Sequence, residues 1–115
     1  MSKDTGFSIT SAERYSLALY ELSSESNLLT QIEEQCSSVL ELINTSDDFK
    51  NLIKDPTTKQ DDLLKITNSI SENYKFEILF KNFLNFLIQK IRLFFLERIL
   101  KSFVEICSKK RGELK

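Results

Sequence analysis

The chain contains no histidine, one proline, two glycines and two cysteines in 115 residues. Each shortage removes a class of molecule. Without histidine it lacks the commonest general base and zinc ligand. Cys36 and Cys107 stand alone on helical apolar faces, so they read as small core residues rather than a disulfide or redox pair. Gly6 and Gly112 stand near opposite ends, and no glycine-rich phosphate loop exists. So little glycine and proline also argues against a turn-rich β protein and for helices joined by short loops.

A net excess of either charge is missing too. The formal net charge is −1, which argues against non-specific nucleic-acid binding, a process that needs many unpaired cations. The one basic cluster, Lys109-Lys110-Arg111, reads as cations complementing a helix C-terminus. The acidic pairs Asp47-Asp48 and Asp61-Asp62 read the same way, at helix N-termini, rather than as a metal site. The opening MSKDTGFSIT has no hydrophobic signal core and too little arginine for a transit peptide. In the most apolar stretch the longest uncharged run, 82–89, is far short of the roughly 20 residues a spanning helix needs. No nucleophile has a plausible base. The expectation is a soluble, non-catalytic, single-domain binding module without cofactor or metal, with no nucleic-acid partner and no direct membrane insertion.

What the chain does have is phenylalanine, and six of its nine lie in FEILFKNFLNFLIQKIRLFFL, residues 76–96. At about 100° per residue, a helix over 76–91 puts Phe76, Phe80, Phe83 and Leu87 at the centre of an apolar arc. Leu79 and Phe86 widen the arc on one side; Leu84, Ile88 and Ile91 widen it on the other. Glu77, Lys81, Asn85, Gln89 and Arg92 leave only a narrow polar stripe. Such a helix is either the buried centre of a bundle or has a core on one flank and a partner on the other.

The remaining pattern supplies five more helices. The first, over 11–24 and capped by Thr10 or Ser11, has one face of Ala12, Tyr15, Ala18, Leu19 and Leu22, with Leu17 and Tyr20 outside it. The second, over 28–44, is cleanly amphipathic through Leu28, Leu29, Ile32, Cys36, Val39, Leu40 and Ile43. A short third helix, 47–54, buries Phe49, Leu52 and Ile53 and stops before Asp55-Pro56. A fourth, capped by Thr57 or Thr58, runs through Leu63, Leu64, Ile66 and Ile70 to about Asn73. The sixth spans 93–110, with Leu96, Ile99, Leu100, Phe103 and Cys107 inward. The break before it contains neither glycine nor proline, and the pattern fits two helices or one long bent helix. The fold class is all-α, a six-helix bundle.

Three stretches resemble the N-terminal domain of the delta subunit family of F-type ATP synthases, the bacterial counterpart of the mitochondrial oligomycin-sensitivity-conferring protein. AERYSLALYELS, 12–23, is similar to that family's opening helix. FKNLIKDPTTKQDDLLKI, 49–66, matches its short helix, proline-marked break and next helix. NFLNFLIQKIRLFFLERILKSFVEI, 82–106, matches a helix, a break of Asn-Gly-Arg-Leu type and a further helix. The order and spacing of the three carry the resemblance. Two departures stand out: the break is Lys90-Ile91-Arg92-Leu93 without the glycine, and Leu96 stands where proline is common.

The resemblance implies a six-helix bundle at the top of the peripheral stalk, acting as a stator on the cytoplasmic face of the bacterial inner membrane. The family grips the catalytic head by taking the N-terminal segment of an alpha subunit as a helix between its first and fifth helices. That carries over to Tyr15, Ala18, Leu19 and Leu22 on the first helix and Leu79, Asn82, Phe83 and Phe86 on the fifth. In this reading Phe76, Phe80 and Leu87 hold the bundle while Leu79, Phe83 and Phe86 face the partner. It also implies a helical domain over 1–108 and, over 109–115, the start of a linker to a C-terminal domain that binds the b subunits. Two other readings use the same residues: a different all-helical interaction or RNA-binding regulatory domain, and a homodimer that buries the phenylalanine surface against itself.

Overall fold

The computed structural model describes the backbone of residues 3–113 and the side chains of 11–112. Six α-helices follow in order: α1 Lys3–Glu25, α2 Leu29–Thr45, α3 Asp47–Lys54, α4 Gln60–Asn73, α5 Ile78–Gln89 and α6 Leu96–Glu113. A 3-10 turn, Leu93–Phe95, leads into α6, so the fifth and sixth helices are separate. No strand occurs among the described residues. α1 packs chiefly on α6, α2 also lies on α6, α4 packs on α5, and α3 closes against α2 and the 3-10 turn.

The central contact, α1 on α6, is made of small residues. Ala12, Ser16, Leu19 and Ser23 form the buried stripe of α1, spaced four, three and four residues apart. The short side chains of Ala12, Ser16 and Ser23, on either side of Leu19, let the two backbones approach closely. The Ser16 hydroxyl reaches across: its Oγ lies 2.7 Å from the Ala12 carbonyl oxygen and 2.8 Å from that of Ile99 on α6. The Ser23 hydroxyl donates back to Leu19 at 2.7 Å, so its buried polar atom is satisfied within its own helix. Further along, the Tyr20 ring meets Phe103 at 6.3 Å. Ser16 pairs with Ile99 and Tyr20 with Phe103, so α1 and α6 run in the same direction.

This rotates the expected face of α1. Ala12 and Leu19 are buried, Leu19 against its expected place on the partner side, while Ala18 is exposed and Leu22 is 48% exposed. Two serines occupy the core instead, because close helix packing favours volume over hydrophobicity at those positions. The helix also begins at Lys3, so it runs through 10 and 11 and neither Thr10 nor Ser11 is its cap.

α2, α3 and α6 follow their patterns closely, except that Leu52 is only half-buried. α4, by contrast, fully buries only Thr67 and Ser71 and leaves Leu63, Leu64, Ile66 and Ile70 half-buried. Ile32, Cys36, Val39 and Ile43 of α2 are buried, as are Phe49 and Ile53 of α3 and Leu96, Ile99, Leu100, Phe103 and Cys107 of α6. Ser46 caps α3, its Oγ accepting from the Phe49 amide at 3.2 Å. At α4 the caps differ from expectation: Lys59 stands at the N-cap with no side-chain bond. Thr57 instead turns back, its amide and hydroxyl both donating to Asp55 Oδ1 at 2.9 and 2.7 Å. That Asx-type turn consumes the residue that could have capped. The stretch expected as a linker, 109–115, is helical as far as Glu113, and 114 and 115 lie outside the described residues.

Three helices end in the same way without glycine. Asn27, Lys75 and Ile91 all take φ between 57° and 59°, the left-handed region. Each is followed by the paired bonds of a Schellman motif. After α1, Leu28 N–H donates to Ser23 C=O and Asn27 N–H to Ser24 C=O. After α4, Phe76 donates to Ser71 and Lys75 to Glu72; after α5, Arg92 donates to Leu87 and Ile91 to Ile88. Asparagine tolerates this backbone, but for a β-branched residue it is an outlier. The break that looked featureless in sequence is therefore a turn made with an unsuitable residue.

Two substitutions test these arguments. Ser16→Leu forces α1 off α6 and lowers stability by about 1–3 kcal/mol in urea unfolding, whereas Ser16→Ala loses only the hydroxyl bond, about 1 kcal/mol. Ile91→Gly relieves the left-handed strain and raises stability by about 0.5–1 kcal/mol, read as a melting temperature higher by a few degrees.

Candidate partner-binding surface

α5 is held at both ends by glutamines from neighbouring helices. Gln35 of α2 accepts from the Glu77 amide at 3.0 Å through its Oε1, at the N-cap of α5. Gln60 of α4 donates through Nε2 to the Ile88 carbonyl at 3.3 Å, in the last turn. Between these pins the helix can bury only one part of its wide apolar arc. Phe80, Phe83, Leu84, Leu87 and Ile88 are the buried set. Phe76 is half-buried and stacks edge-on against Phe80, with ring centroids 5.0 Å apart. The core therefore claims the flank of Leu84 and Ile88. The flank of Leu79 and Phe86 is turned outward.

That outward flank meets α1. The Tyr15 ring packs edge-to-face on Phe86 at 6.1 Å, and the Lys90 ammonium sits over the Phe86 ring at 5.7 Å from its centroid. Phe86 remains 42% exposed despite both contacts. On α1, the residues flanking Tyr15 on the outward side are Ala18 and Leu22, both exposed. On α5, Leu79 is half-buried and Asn82 exposed. The result is a partly apolar strip along adjacent flanks of α1 and α5, with Tyr15 and Phe86 where the two helices touch.

The eight expected residues divide accordingly. Tyr15, Ala18, Leu22, Leu79, Asn82 and Phe86 keep exposed surface on this strip. Leu19 and Phe83 do not: Leu19 is fully buried and Phe83 nearly so, and both belong to the core cluster. Leu19 lies on the side of α1 that faces α6, and Phe83, central in the whole apolar arc, stands at the margin of the part that is buried. The sequence pattern gives no sign of Ile78, 75% exposed, and puts Ile91, 67% exposed, on the inward-widening side of the α5 arc. Ile78 stands among the polar residues of α5 by helical phase, and Ile91 was assigned to the helix rather than to the turn that ends it.

The rest of the surface carries little that suggests chemistry. A cleft of about 630 Å³ opens on the other flank of α1, lined by Ala12, Phe94, Phe95 and charged residues of α1, α3 and α6, and it contains none of the eight. In it, Glu97 is held below the usual carboxylate range by its bond to Lys101, 3.2 Å away, with Lys54 and Lys50 adding to the effect. Arg111 grips Glu33 of α2 with two bonds of 2.8 and 3.1 Å, a more specific role than complementing the end of its own helix. Cys36 and Cys107 are free and buried. Burial pushes the Cys107 thiol up to about 11 and raises Cys36 too, which makes both poor nucleophiles at neutral pH.

Comparison with known proteins bears on what the strip serves. A family model described as the ATP synthase delta (OSCP) subunit matches residues 12–115. The ATP synthase subunit delta of Pelagibacter ubique is 58% identical over the whole chain, which covers 62% of that protein. That of Rhizobium meliloti is 33% identical over 90% of the chain and 55% of the relative. The chain thus spans little more than half the length of these relatives. Among solved structures, a chain in the cryo-EM structure of the Toxoplasma gondii mitochondrial ATP synthase hexamer superposes with a TM-score of 0.76. It is 26% identical, with 80% of this chain and 51% of that one covered.

The split between core and strip predicts a split in stability. Leu19→Ala and Phe83→Ala open cavities and cost about 2–5 kcal/mol. Leu22→Ala and Asn82→Ala, on exposed surface, shift the unfolding midpoint by no more than about 0.5 kcal/mol. Thermal melts of the four variants check the division.

Proposed function

Because the chain belongs to the ATP synthase delta (OSCP) family, we propose that it is the head-binding domain of a peripheral-stalk subunit, tethering the catalytic head of an F-type ATP synthase without catalysing anything itself. Its ligand in this reading is the N-terminal segment of an alpha subunit, laid as an amphipathic helix between α1 and α5. The observation that carries it is the Tyr15–Phe86 contact, a ring pair left part-exposed where two outward apolar flanks meet. A helix in such a groove anchors through residues at i, i+3, i+4 and i+7. Phe86 and Leu22 are each about half exposed, so a partner covering them recovers roughly 1 kcal/mol apiece before ordering costs.

The mechanism is mechanical. Rotation of the central stalk drags the catalytic head round, and a stator must hold it still. That requires a contact with slow dissociation and no chemistry, which an apolar helix-in-groove interface supplies. Binding to the b subunits belongs, in this reading, to a separate C-terminal domain and not to this bundle. In this reading the subunit works at the cytoplasmic face of a bacterial inner membrane; no described helix is long and apolar enough to cross a membrane.

Phe86→Asp tests the site. It places a carboxylate at the centre of the strip without touching the core, so the circular dichroism spectrum is retained and calorimetric binding of an alpha-subunit N-terminal peptide is lost. Unchanged affinity in the folded variant removes Phe86, and with it the groove. Sedimentation separates the self-association reading: a dimer that persists and ignores the peptide favours two copies of this chain over a docked alpha segment.

A further inference from the structure

The corner between α5 and α6 holds a residue that its own fold disfavours. Ile91 takes φ 57° and is 67% exposed. A branched side chain makes the left-handed backbone costly, and two-thirds exposure means that packing within the chain returns little. The other two left-handed positions carry gentler choices: Asn27, which suits that backbone, and Lys75, which is unbranched at Cβ. A glycine or asparagine would make the same turn more easily. What glycine cannot supply is a branched apolar tip.

The corner is continuous with the strip. Lys90 precedes Ile91 and lies over Phe86, the ring that Tyr15 also touches. On the other side Arg92 folds back, its Nη1 donating to the Ile91 carbonyl at 3.3 Å. Neither Lys90 nor Arg92 pairs with a carboxylate among the described residues. Ile91 is thus an exposed apolar knob between two cations, at the end of the α5 flank. Strain kept at such a place points to a contact outside the chain that returns what the turn loses.

We propose that Lys90-Ile91-Arg92 is a recognition corner for the partner helix that docks between α1 and α5, taking a part of it that extends beyond the groove. The matching chemistry is an apolar residue that packs on Ile91, with an acidic residue beside it for Lys90 and Arg92. The inference rests on the groove reading above and adds to it a second point of attachment. It gives the bound segment a fixed register, because a knob at one end stops a helix from sliding along an apolar strip.

The test measures stability and affinity on the same variants, titrating the 115-residue chain with a peptide of the alpha-subunit N-terminal segment. Ile91→Gly and Ile91→Asn both raise the melting temperature and weaken binding about tenfold, equivalent to about 1.4 kcal/mol. Lys75→Gly, relieved at a distant turn, raises the melting temperature and leaves affinity as it was. Lys90→Gln combined with Arg92→Gln flattens the salt dependence of binding. Wild-type affinity in Ile91→Gly and Ile91→Asn overturns the proposal and leaves Ile91 as tolerated strain. So does a loss of affinity accompanied by a lower melting temperature, since the turn would then need isoleucine for folding. If Phe86→Asp abolishes binding while both Ile91 variants bind normally, the corner fails alone. If Phe86→Asp binds normally, the groove itself fails.

Discussion

The close approach of α1 to α6 is the contact on which the rest of the architecture depends. Ala12, Ser16 and Ser23 remove side-chain volume from the interface, and the Ser16 hydroxyl ties the two helices across it. Once α1 presents its small residues to α6, helical geometry fixes where everything else on it points. Tyr15 and Leu22 fall beside the interface rather than in it, on the flank that reaches α5. Had Tyr15 and Leu22 formed the buried stripe, α1 would stand further from α6 and carry no apolar flank outward.

α5 shows the complementary solution. It has more apolar circumference than a six-helix core can take. Burial of Phe80, Phe83, Leu84, Leu87 and Ile88 takes one part in, and two glutamine contacts hold its ends. Gln35 accepts from the amide at its N-cap, where a helix start leaves donors unpaired, and Gln60 adds a second bond to the Ile88 carbonyl, which already accepts from Ile91. The surplus is left on the side of Leu79 and Phe86, next to the surplus of α1. Two helices with excess apolar surface were brought together by constraints that act elsewhere on each of them.

Much of this was legible in the sequence. The helix count, the clean faces of α2 and α6 and the short α3 before Asp55-Pro56 follow from periodicity and breakers, and the structure reproduces them. The family resemblance was legible from three stretches in order. The rotation of α1 was not, because a hydrophobicity pattern cannot rank serine above leucine for the core, yet close packing does so at Ser16 and Ser23. The break was legible at 90–93, where the structure has it, but its form was not: a Schellman ending is recognised by glycine or asparagine, and isoleucine gives no such signal. Leu19 and Phe83 were placed on the strip because each lies within one helical step of residues that are there, a resolution that spacing alone does not have.

The shared direction of α1 and α6 has a bearing on load. A tension applied along α6 pulls it lengthwise past α1, so Ser16, Tyr20 and their partners resist together rather than one after another. Arg111 holds the last turn of α6 to Glu33 of α2 by a two-pronged grip, and this passes part of the same pull to a second helix. Contacts loaded in shear share the force, whereas contacts that peel meet it singly. A bundle of modest size can then stiffen in the direction of α6 while staying comparatively compliant across it.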